Sequence, residues 1–247
     1  MNPSAKILVI RHEACTSLGL LGHVAQEQAC QVEYLDPFLG MSLTTPIAAY
    51  SHVVILGGGV SAYEDDRYSF LRDEFRLVEE AIAHQIPIVG ICLGSQILAK
   101  VLGANVYRGE AGREAGWCEV SLTEAASTDP VMHQFPAQFR VFQSHQDTFD
   151  IPATAVRLAE SDKYPNQAFR YGDRVWALQF HLEFDQNVLL DCAALIEQEL
   201  WESNIQDTTV TQLLAEATHH SPAVAPIANQ FMQEFLQQVW ERRHLKC

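Results

Sequence analysis

One cysteine lies in a sequence that could activate it as a nucleophile. Cys92 is the centre of Gly90-Ile-Cys-Leu-Gly94, between a continuous apolar run and a segment with helical periodicity. Glycines on both sides allow the sharp strand-to-helix turn known as a nucleophile elbow. Such a turn places the thiol at a helix N-terminus, where the helix dipole and free amides favour the thiolate. The alternative is that Cys92 is a small buried hydrophobic residue at a strand end.

A thiolate nucleophile needs a base and a group that orients the base. His181 follows an apolar strand predicted over Val175 to Phe180, and sites in parallel sheets gather at the carboxyl ends of strands. Glu183 lies two residues later, on the same side of an extended segment, where its carboxylate can accept the imidazole N–H. His-x-Glu occurs often by chance, so the inference depends on its position after a buried strand. Cys92, His181 and Glu183 together predict a catalytic triad.

The oxyanion of a tetrahedral intermediate also requires hydrogen-bond donors. The amide of Leu93 directly follows the nucleophile, and the amide of Gly58 lies in the loop after another buried strand. The alternative is that Gly57-Gly58-Gly59 is only a tight exit from that strand. It is not a phosphate loop, because Gly-Lys-Ser/Thr is missing at the required spacing, and it does not match the dinucleotide fingerprint Gly-x-Gly-x-x-Gly.

The elements that must position these residues alternate between strand and helix. We therefore expect an α/β fold with an open, mostly parallel sheet, helices on both faces and right-handed crossovers. The predicted strands are Lys6–Ile10, Val32–Leu35, His52–Leu56, Ile86–Ile91 and Val175–Phe180. The helix after the third strand has a predicted buried face of Leu71, Phe75, Val78 and Ile82. Shorter strands and turns are expected from residue 105 to about residue 170.

The chain after His181 has a helical pattern. Apolar stripes run from Val188 to Ile196 and from Ile227 to Val239, and Ser203-Asn204 and Ser221-Pro222 predict breaks between helices. We expect these helices to form a layer on the sheet, or to dock a partner. The predicted division is a catalytic domain over residues 1–184 and a C-terminal helical extension over residues 185–247.

Composition and charge argue against several classes of protein. The 247 residues include 16 Lys and Arg against 31 Asp and Glu, a net charge of −15, which disfavours a nucleic-acid or polybasic membrane surface. No run approaches the roughly 18 apolar residues of a membrane span. Six scattered cysteines, without Cys-x-x-Cys or a histidine at ligand spacing, disfavour a disulfide framework and a zinc site. We expect a cytoplasmic protein with reduced thiols and no bound metal.

The motifs around the predicted triad resemble those of class I glutamine amidotransferases. The resemblance lies in Gly90-Ile-Cys-Leu-Gly-Ser-Gln96 together with Gln179-Phe-His-Leu-Glu183, and the Leu56-Gly-Gly58 loop fits in order and distance. Phe142-Gln-Ser-His-Gln-Asp147 is similar to the Ser-His-Gly-Asp segment of the GMP synthetase glutaminase domain. The similarity runs from about Lys6 to Phe184. It implies a flavodoxin-like arrangement of the sheet.

The resemblance implies a role for each matching residue. Cys92 would be the nucleophile, His181 the base and Glu183 its orienting partner, with Gly58 and Leu93 as oxyanion donors. Gln96 would bind the glutamine amide. The α-amino and α-carboxylate groups would be held by Ser144, His145, Gln146 and Asp147. The implied reaction is hydrolysis of the glutamine side-chain amide through a Cys thioester, without a metal or organic cofactor, and the ammonia would pass to a synthetase.

Three positions depart from the family pattern. Leu182 replaces the proline of His-Pro-Glu, but the side chain of this middle residue is expected to point away from the chemistry. Gly59 stands where a proline is common, which predicts a looser oxyanion loop. Gln146 stands where a glycine is common, near the amino-acid end of the substrate, so the triad is better specified than the substrate.

Two other functions remain open from the sequence. A γ-glutamyl hydrolase that cleaves γ-glutamyl amines or peptides would use the same triad with a different leaving group. A non-catalytic sensor or regulatory subunit could keep the fold, although the intact triad argues against it. The stretch after Phe184 is too short for a synthetase and no ATP loop is visible. The ammonia acceptor is therefore expected in a separate subunit, or there is none.

Overall fold

The structure of the chain is a computed structural model that describes residues 5–238. Val239, the last member of the predicted apolar stripe, lies outside this range. The strands are β1 (Lys6–Ile10), β2 (Gln31–Leu35), β3 (His52–Ile55), β4 (Ile88–Ile91), β5 (Val106–Arg108), β6 (Glu114–Leu122), β7 (Gln138–His145), β8 (Asp147–Phe149), β9 (Val156–Glu160), β10 (Ala168–Tyr171) and β11 (Val175–Leu178). The α-helices are α1 (Gly19–Glu27), α2 (Phe70–Ala83), α3 (Leu93–Val101), α4 (Gln186–Asp191), α5 (Ala193–Glu202) and α6 (Val210–Gln237).

Nine strands form one open sheet in the order β2-β1-β3-β4-β11-β10-β9-β6-β7. The first five strands run parallel to their neighbours, and the other four pair antiparallel. The remaining strands, β5 and β8, form a separate antiparallel pair. The parallel part follows the flavodoxin-like order, with β11 as its fifth strand. This confirms the predicted α/β fold. The predicted site residues follow the ends of its parallel strands.

Both faces of the inner parallel strands β1, β3, β4 and β11 are buried, and each face has its own hydrophobic core, whereas the edge strand β2 is partly exposed. Side chains alternate across a strand, so Ile7 and Val9 of β1 enter one core while Leu8 and Ile10 enter the other. The first core also contains residues of α1 and of the C-terminal helices α4, α5 and α6, and the second contains residues of α2 and α3. This double burial explains why these strands read as continuous apolar runs in the sequence.

The long helix α6 corrects the break predicted at Ser221-Pro222. It runs without interruption from Val210 to Gln237 and contains Pro222 and Pro226. Each proline removes one backbone hydrogen bond, which usually bends or ends a helix. Here the buried face continues on both sides of the prolines, with Leu213, Ala217, Val224, Ile227 and Phe231, and packs against α1 and α4. Tertiary packing therefore outweighs the local penalty. Within residues 5–238, no helix is long and apolar enough to cross a membrane.

The strand before His181 ends two residues earlier than predicted, at Leu178. Beyond it the chain leaves the parallel ladder: the Gln179 amide donates to the Gln167 carbonyl, at 2.8 Å. The His181 amide donates to the Phe142 carbonyl of β7, at 2.9 Å. His181 is thus held by a bridge to a different strand, and this bridge turns its side chain toward the end of β4.

Candidate active site

Cys92 lies at the junction of β4 and α3, in a backbone conformation that few residues adopt. It is the N-cap of α3, with φ 53° and ψ −110°. A non-glycine residue at positive φ is strained, and such strain concentrates at functional sites. The flanking glycines are required by space, because a Cβ on Gly94 would lie 2.2 Å from the Ile55 carbonyl oxygen and one on Gly90 would lie 2.4 Å from the Gly94 oxygen. The elbow predicted from the sequence is present.

His181 and Glu183 form a buried pair beside the cysteine. Nδ1 of His181 lies 2.7 Å from Oε1 of Glu183, and both side chains are less than a tenth exposed. Burial lowers the pKa of His181, but the charge of Glu183 and a hydrogen bond with Cys92 outweigh it and raise the pKa to about 10. At neutral pH the ring therefore carries two protons. Since Glu183 holds Nδ1, the Nε2 side of the ring is left for the reaction.

The glycine loop after β3 lies against both the nucleophile and the base. A Cβ on Gly57 would lie 3.2 Å from Cε1 of His181 and 3.4 Å from Cβ of Cys92. Gly58 and Leu93, the predicted oxyanion donors, line the same cleft as Cys92. The Gly59 amide donates to Oε1 of Glu13, at 3.3 Å, a bond that proline could not make. The loop therefore has an anchor that partly replaces the stiffness of the proline ring.

A buried histidine that the sequence analysis missed supports this loop from behind. His12 lies two residues after the end of β1; its Nδ1 lies 3.1 Å from the Leu56 carbonyl oxygen and its Nε2 lies 2.9 Å from Oε2 of Glu74. Burial lowers the pKa of His12, but the charge of Glu74 outweighs it, so the pKa is raised. A Cβ on Gly58 would lie only 2.4 Å from Cβ of His12. His12 therefore acts as a brace for the oxyanion loop.

The buried face of α2 differs from the predicted one, because it includes the carboxylate of Glu74. The buried positions are Leu71, Glu74, Val78 and Ala81, whereas Phe75 and Ile82 are half-buried. Apolar periodicity cannot identify a charged residue on the inner face of a helix. The sequence offers one indirect signal for Glu74. His12 lies at the carboxyl end of a buried parallel strand, and a buried histidine needs a polar partner.

Replacing Glu74 by alanine is expected to lower the free energy of unfolding by about 3 kcal/mol, because it leaves the buried ring of His12 without its partner at Nε2. Glu74→Gln should lose less, since its amide can donate to a neutral His12 ring. Urea unfolding at pH 7 measures both. Asp73→Ala is the matched control, because this neighbouring carboxylate is exposed and pairs with Arg76 at the surface. Equal losses for Asp73→Ala and Glu74→Ala would contradict the bracing role.

A polar cleft of about 410 Å³ opens from the cysteine. All the residues predicted to bind substrate line it: Gln96, Ser144, His145, Gln146 and Asp147. Arg67, Arg108 and Arg113 supply positive charge to the same walls, and Glu64, Glu199 and Glu202 supply negative charge. A cleft with both signs of charge suits a zwitterionic amino-acid group.

Several of the predicted binding side chains already have partners within the protein. His145 is bonded at both ring nitrogens, to the Asp147 carbonyl oxygen and to Oε2 of Glu114, each at 2.9 Å. Burial raises the pKa of Glu114, but the hydrogen bond from His145 outweighs it, so the pKa is lowered. The Gln146 side chain accepts from Arg108, at 2.9 Å. In this geometry His145 and Gln146 shape the wall of the cleft.

Asp147 faces the cleft with a carboxylate held by two hydroxyl groups. Ser61 donates to its Oδ2, at 2.5 Å, and Tyr63 donates to its Oδ1, at 3.3 Å. Each carboxylate oxygen has further acceptor capacity, so Asp147 could also receive an ammonium group. Gln96, which lines the same cleft, donates to Oε1 of Gln179, at 3.2 Å, and to the Asp147 carbonyl oxygen, at 3.4 Å. Neither Ser61 nor Tyr63 was predicted from the sequence.

A second missed cluster ties a C-terminal helix to the site. Glu199 of α5 forms an ion pair with Arg113 and accepts a hydrogen bond from Oγ of Ser144, at 2.6 Å. Arg113 also donates to the same Ser144 oxygen, at 3.0 Å. Residue 199 belongs to the stretch predicted as a C-terminal helical extension packed on the catalytic domain, and its side chain lines the cleft. No motif marks Arg113 or Glu199, so the sequence alone could not have found them.

In residues 5–238 no three histidine, cysteine or acidic side chains are grouped so that they could hold a metal ion. The five cysteines of this range are free thiols.

Comparison with known proteins places this site in a wider context. A family model described as glutamine amidotransferase class-I matches residues 25–190. The chain is 28% identical over 198 residues to the glutamine amidotransferase-like protein YfeJ of Salmonella typhimurium, which covers 79% of this chain and 82% of that protein. It is 27% identical over 162 residues to gamma-glutamyl peptidase 5 of Arabidopsis thaliana, which is 64% of each chain. A crystal structure of a glutamine amidotransferase from Thermotoga maritima matches with a TM-score of 0.87 and 38% identity, over 96% of this chain and 100% of that one.

Proposed function

The chain belongs to the class I glutamine amidotransferase family, and on that basis we propose that it hydrolyses the side-chain amide of glutamine to glutamate and ammonia. The observation that supports this most is the arrangement of a strained cysteine at a helix N-terminus beside a histidine whose far nitrogen is held by a buried carboxylate, 2.7 Å away. Nucleophile, base and orienting group are the parts that covalent acyl transfer needs.

In the first half-reaction, Sγ of Cys92 attacks the amide carbon of glutamine. The carbonyl oxygen gains negative charge, which the amides of Gly58 and Leu93 stabilise. His181 then gives its Nε2 proton to the nitrogen, the C–N bond breaks and ammonia leaves. The raised pKa of His181 suits this step, because the ring already holds the proton that the leaving group requires.

In the second half-reaction, water replaces ammonia beside the γ-glutamyl thioester. Neutral His181 takes a proton from the water, and the oxygen attacks the thioester carbon. Collapse of the second tetrahedral intermediate breaks the C–S bond, releases glutamate and returns the cysteine with its proton shared with His181. Glu183 stabilises the imidazolium in both halves and keeps Nε2 directed at the reacting atoms.

The amino-acid end of the substrate would lie in the polar cleft. We propose that Asp147 receives the α-ammonium group, since its carboxylate faces the cleft and retains acceptor capacity. Gln96 would bind the amide end, and Ser144, His145 and Gln146 would shape the pocket for the α-carboxylate. Arg108, which donates to Gln146 on this wall, is the cation that we propose to pair with the α-carboxylate.

We propose a separate protein as the acceptor of the ammonia. The described residues form the class I glutamine amidotransferase fold, and no phosphate-binding loop is present in it, which supports an ammonia acceptor outside this fold. The cytoplasmic location remains a prediction from the reduced cysteines. Cleavage of γ-glutamyl amines or peptides would use the same triad, and the relative named as a γ-glutamyl peptidase keeps this as the second candidate.

The proposal is tested by incubating the full chain with glutamine, alone and with proteins captured from its native organism. Stoichiometric release of glutamate and ammonia is the expected result. An electrophilic glutamine analogue such as 6-diazo-5-oxo-norleucine should label Cys92, detected by peptide mass spectrometry. If glutamine is not turned over and Cys92 is not labelled under any of these conditions, the chain is a non-catalytic member of the family.

A further inference from the structure

Two cysteines that the proposed reaction does not use lie against each other beside the active site. Cys15 belongs to the loop between β1 and α1, and Cys192 is the residue between α4 and α5. A hydrogen bond joins the two thiols. Because the two residues are far apart in the sequence, this contact is made by the fold and not by the local chain.

The segments that carry these cysteines pack closely against each other. A Cβ on Gly19 would lie only 2.8 Å from Cγ2 of Val188, which places the start of α1 directly on α4. Thr16, the neighbour of Cys15, lines a small cavity together with Cys192, and the nucleophile lines the same cavity. Cys15 itself packs against the hydrophobic core that contains Cys192. The two thiols are therefore held together by packing on both sides of the pair.

The two thiols differ in access to solvent and in acidity. Cys192 is only 1% exposed, whereas Cys15 is half-buried, so a small reagent in solvent reaches the pair through Cys15. The hydrogen bond with Cys192 lowers the pKa of Cys15, although burial and the charge of Glu13 oppose this effect. The same hydrogen bond, together with burial, raises the pKa of Cys192. Cys15 is therefore the thiol that reacts first, as the thiolate.

We propose that Cys15 and Cys192 form a reversible disulfide when the protein meets hydrogen peroxide, so that this pair is an oxidation site beside the nucleophile. The Cys15 thiolate attacks one peroxide oxygen, the O–O bond breaks, and Cys15 becomes a sulfenic acid while hydroxide leaves and is protonated by solvent. The sulfur of Cys192 then attacks Sγ of Cys15, the S–O bond breaks, and the proton of Cys192 leaves with that oxygen as water. The two sulfurs lose two electrons in total, and the peroxide gains them.

The disulfide would tie together two segments that place groups around the nucleophile. The loop of Cys15 also contains Glu13, whose Oε1 accepts from the Gly59 amide, at 3.3 Å. Cys192 is the N-cap of α5, and α5 contributes Glu199 to the wall of the cleft. A covalent S–S bond is shorter than a hydrogen-bonded contact between two sulfurs, so its formation must draw these segments toward each other. Since a displacement of about 1 Å at a reacting centre can cost about 10²-fold in rate, the disulfide form should hydrolyse glutamine at least about tenfold more slowly.

The first test needs no substrate. The full chain is treated with increasing hydrogen peroxide, its remaining thiols are blocked with iodoacetamide, and linked peptides are mapped by mass spectrometry. A linkage between Cys15 and Cys192 that dithiothreitol removes is the expected result. Cys15→Ser should abolish it. Cys30→Ser is the matched control that should keep it, because Cys30 is also half-buried and burial raises the pKa of its thiol.

The second test measures glutamine turnover and rests on the proposed function. At one peroxide dose, the rate of the wild type should fall at least about tenfold further than that of Cys15→Ser, whose Cys92 meets the same oxidant, and dithiothreitol should remove this difference. Equal losses in the two chains would overturn the effect of the pair on the site.

No linkage between Cys15 and Cys192 at any peroxide dose overturns the proposal, and so does a linkage of Cys15 to a different cysteine. Absence of glutamate release before oxidation, with no labelling of Cys92 by the electrophilic analogue, overturns the proposed function alone. The peptide map then still decides whether the pair is an oxidation site.

Discussion

Replacing Cys92 by alanine is expected to reduce glutamine hydrolysis by at least about 10⁴-fold, because the acyl-enzyme route disappears while the oxyanion donors and the cleft remain. The KM for glutamine should change little, since no binding group is removed. Alanine at this position must still adopt φ 53°, so the elbow keeps its strain and the variant tests the thiol rather than the turn. Initial rates of glutamate release, with unfolding curves to verify the fold, measure the effect.

The matched control for this variant is Cys118→Ala. Cys118 lies on β6 and is half-buried; burial raises the pKa of its thiol to about 11, so it remains protonated at neutral pH. We expect its removal to leave the rate within about twofold of the wild type, as for substitutions away from the reacting atoms. A thiol reagent should modify Cys92 and spare Cys118. Full activity in Cys92→Ala would show that a different residue is the nucleophile.

The elbow and the parallel strands could be predicted because their causes are local. A parallel strand covered on both faces must be apolar throughout, and a turn as tight as the one at Cys92 needs the space that Gly90 and Gly94 leave. These requirements appear directly in the order of residues. The His-x-Glu pair was found for the same reason, since two residues of one extended segment point to one side.

The supporting residues could not be predicted, because their causes are tertiary. Glu74 and His12 are 62 positions apart and meet only when α2 packs over the end of β1. Arg113 directly precedes β6 and Glu199 lies on α5, and only the folded chain brings these two side chains together. The continuity of α6 also has a tertiary cause, since its packing outweighs the cost of the two prolines inside it. Local rules therefore identify the reacting atoms, and contacts distant in sequence determine how firmly those atoms are held.

Among the residues that do not touch the substrate, Glu183 is expected to contribute most to kcat. Its charge is the main factor that opposes the effect of burial on His181, so Glu183→Gln should lower the pKa of His181 from about 10. A histidine with a raised pKa is protonated below that value and loses its proton as pH rises through it. In the variant this loss moves to lower pH, and the activity at the alkaline end of the profile falls with it. The amide can also fix the wrong tautomer, so kcat should drop about 10³- to 10⁴-fold.

The pH profile shows whether Glu183 stabilises the charge of His181 or only holds its ring in place. Histidine ring signals followed by NMR between pH 6 and about pH 11 should show the His181 titration moved downward in Glu183→Gln, with little change in KM for glutamine. Glu197→Gln is the control, an exposed carboxylate on α5. If kcat falls but the His181 titration stays in place, the role of Glu183 is to hold the ring rather than to stabilise its charge. If kcat and the titration both match the wild type, Glu183 is not the orienting member of a triad.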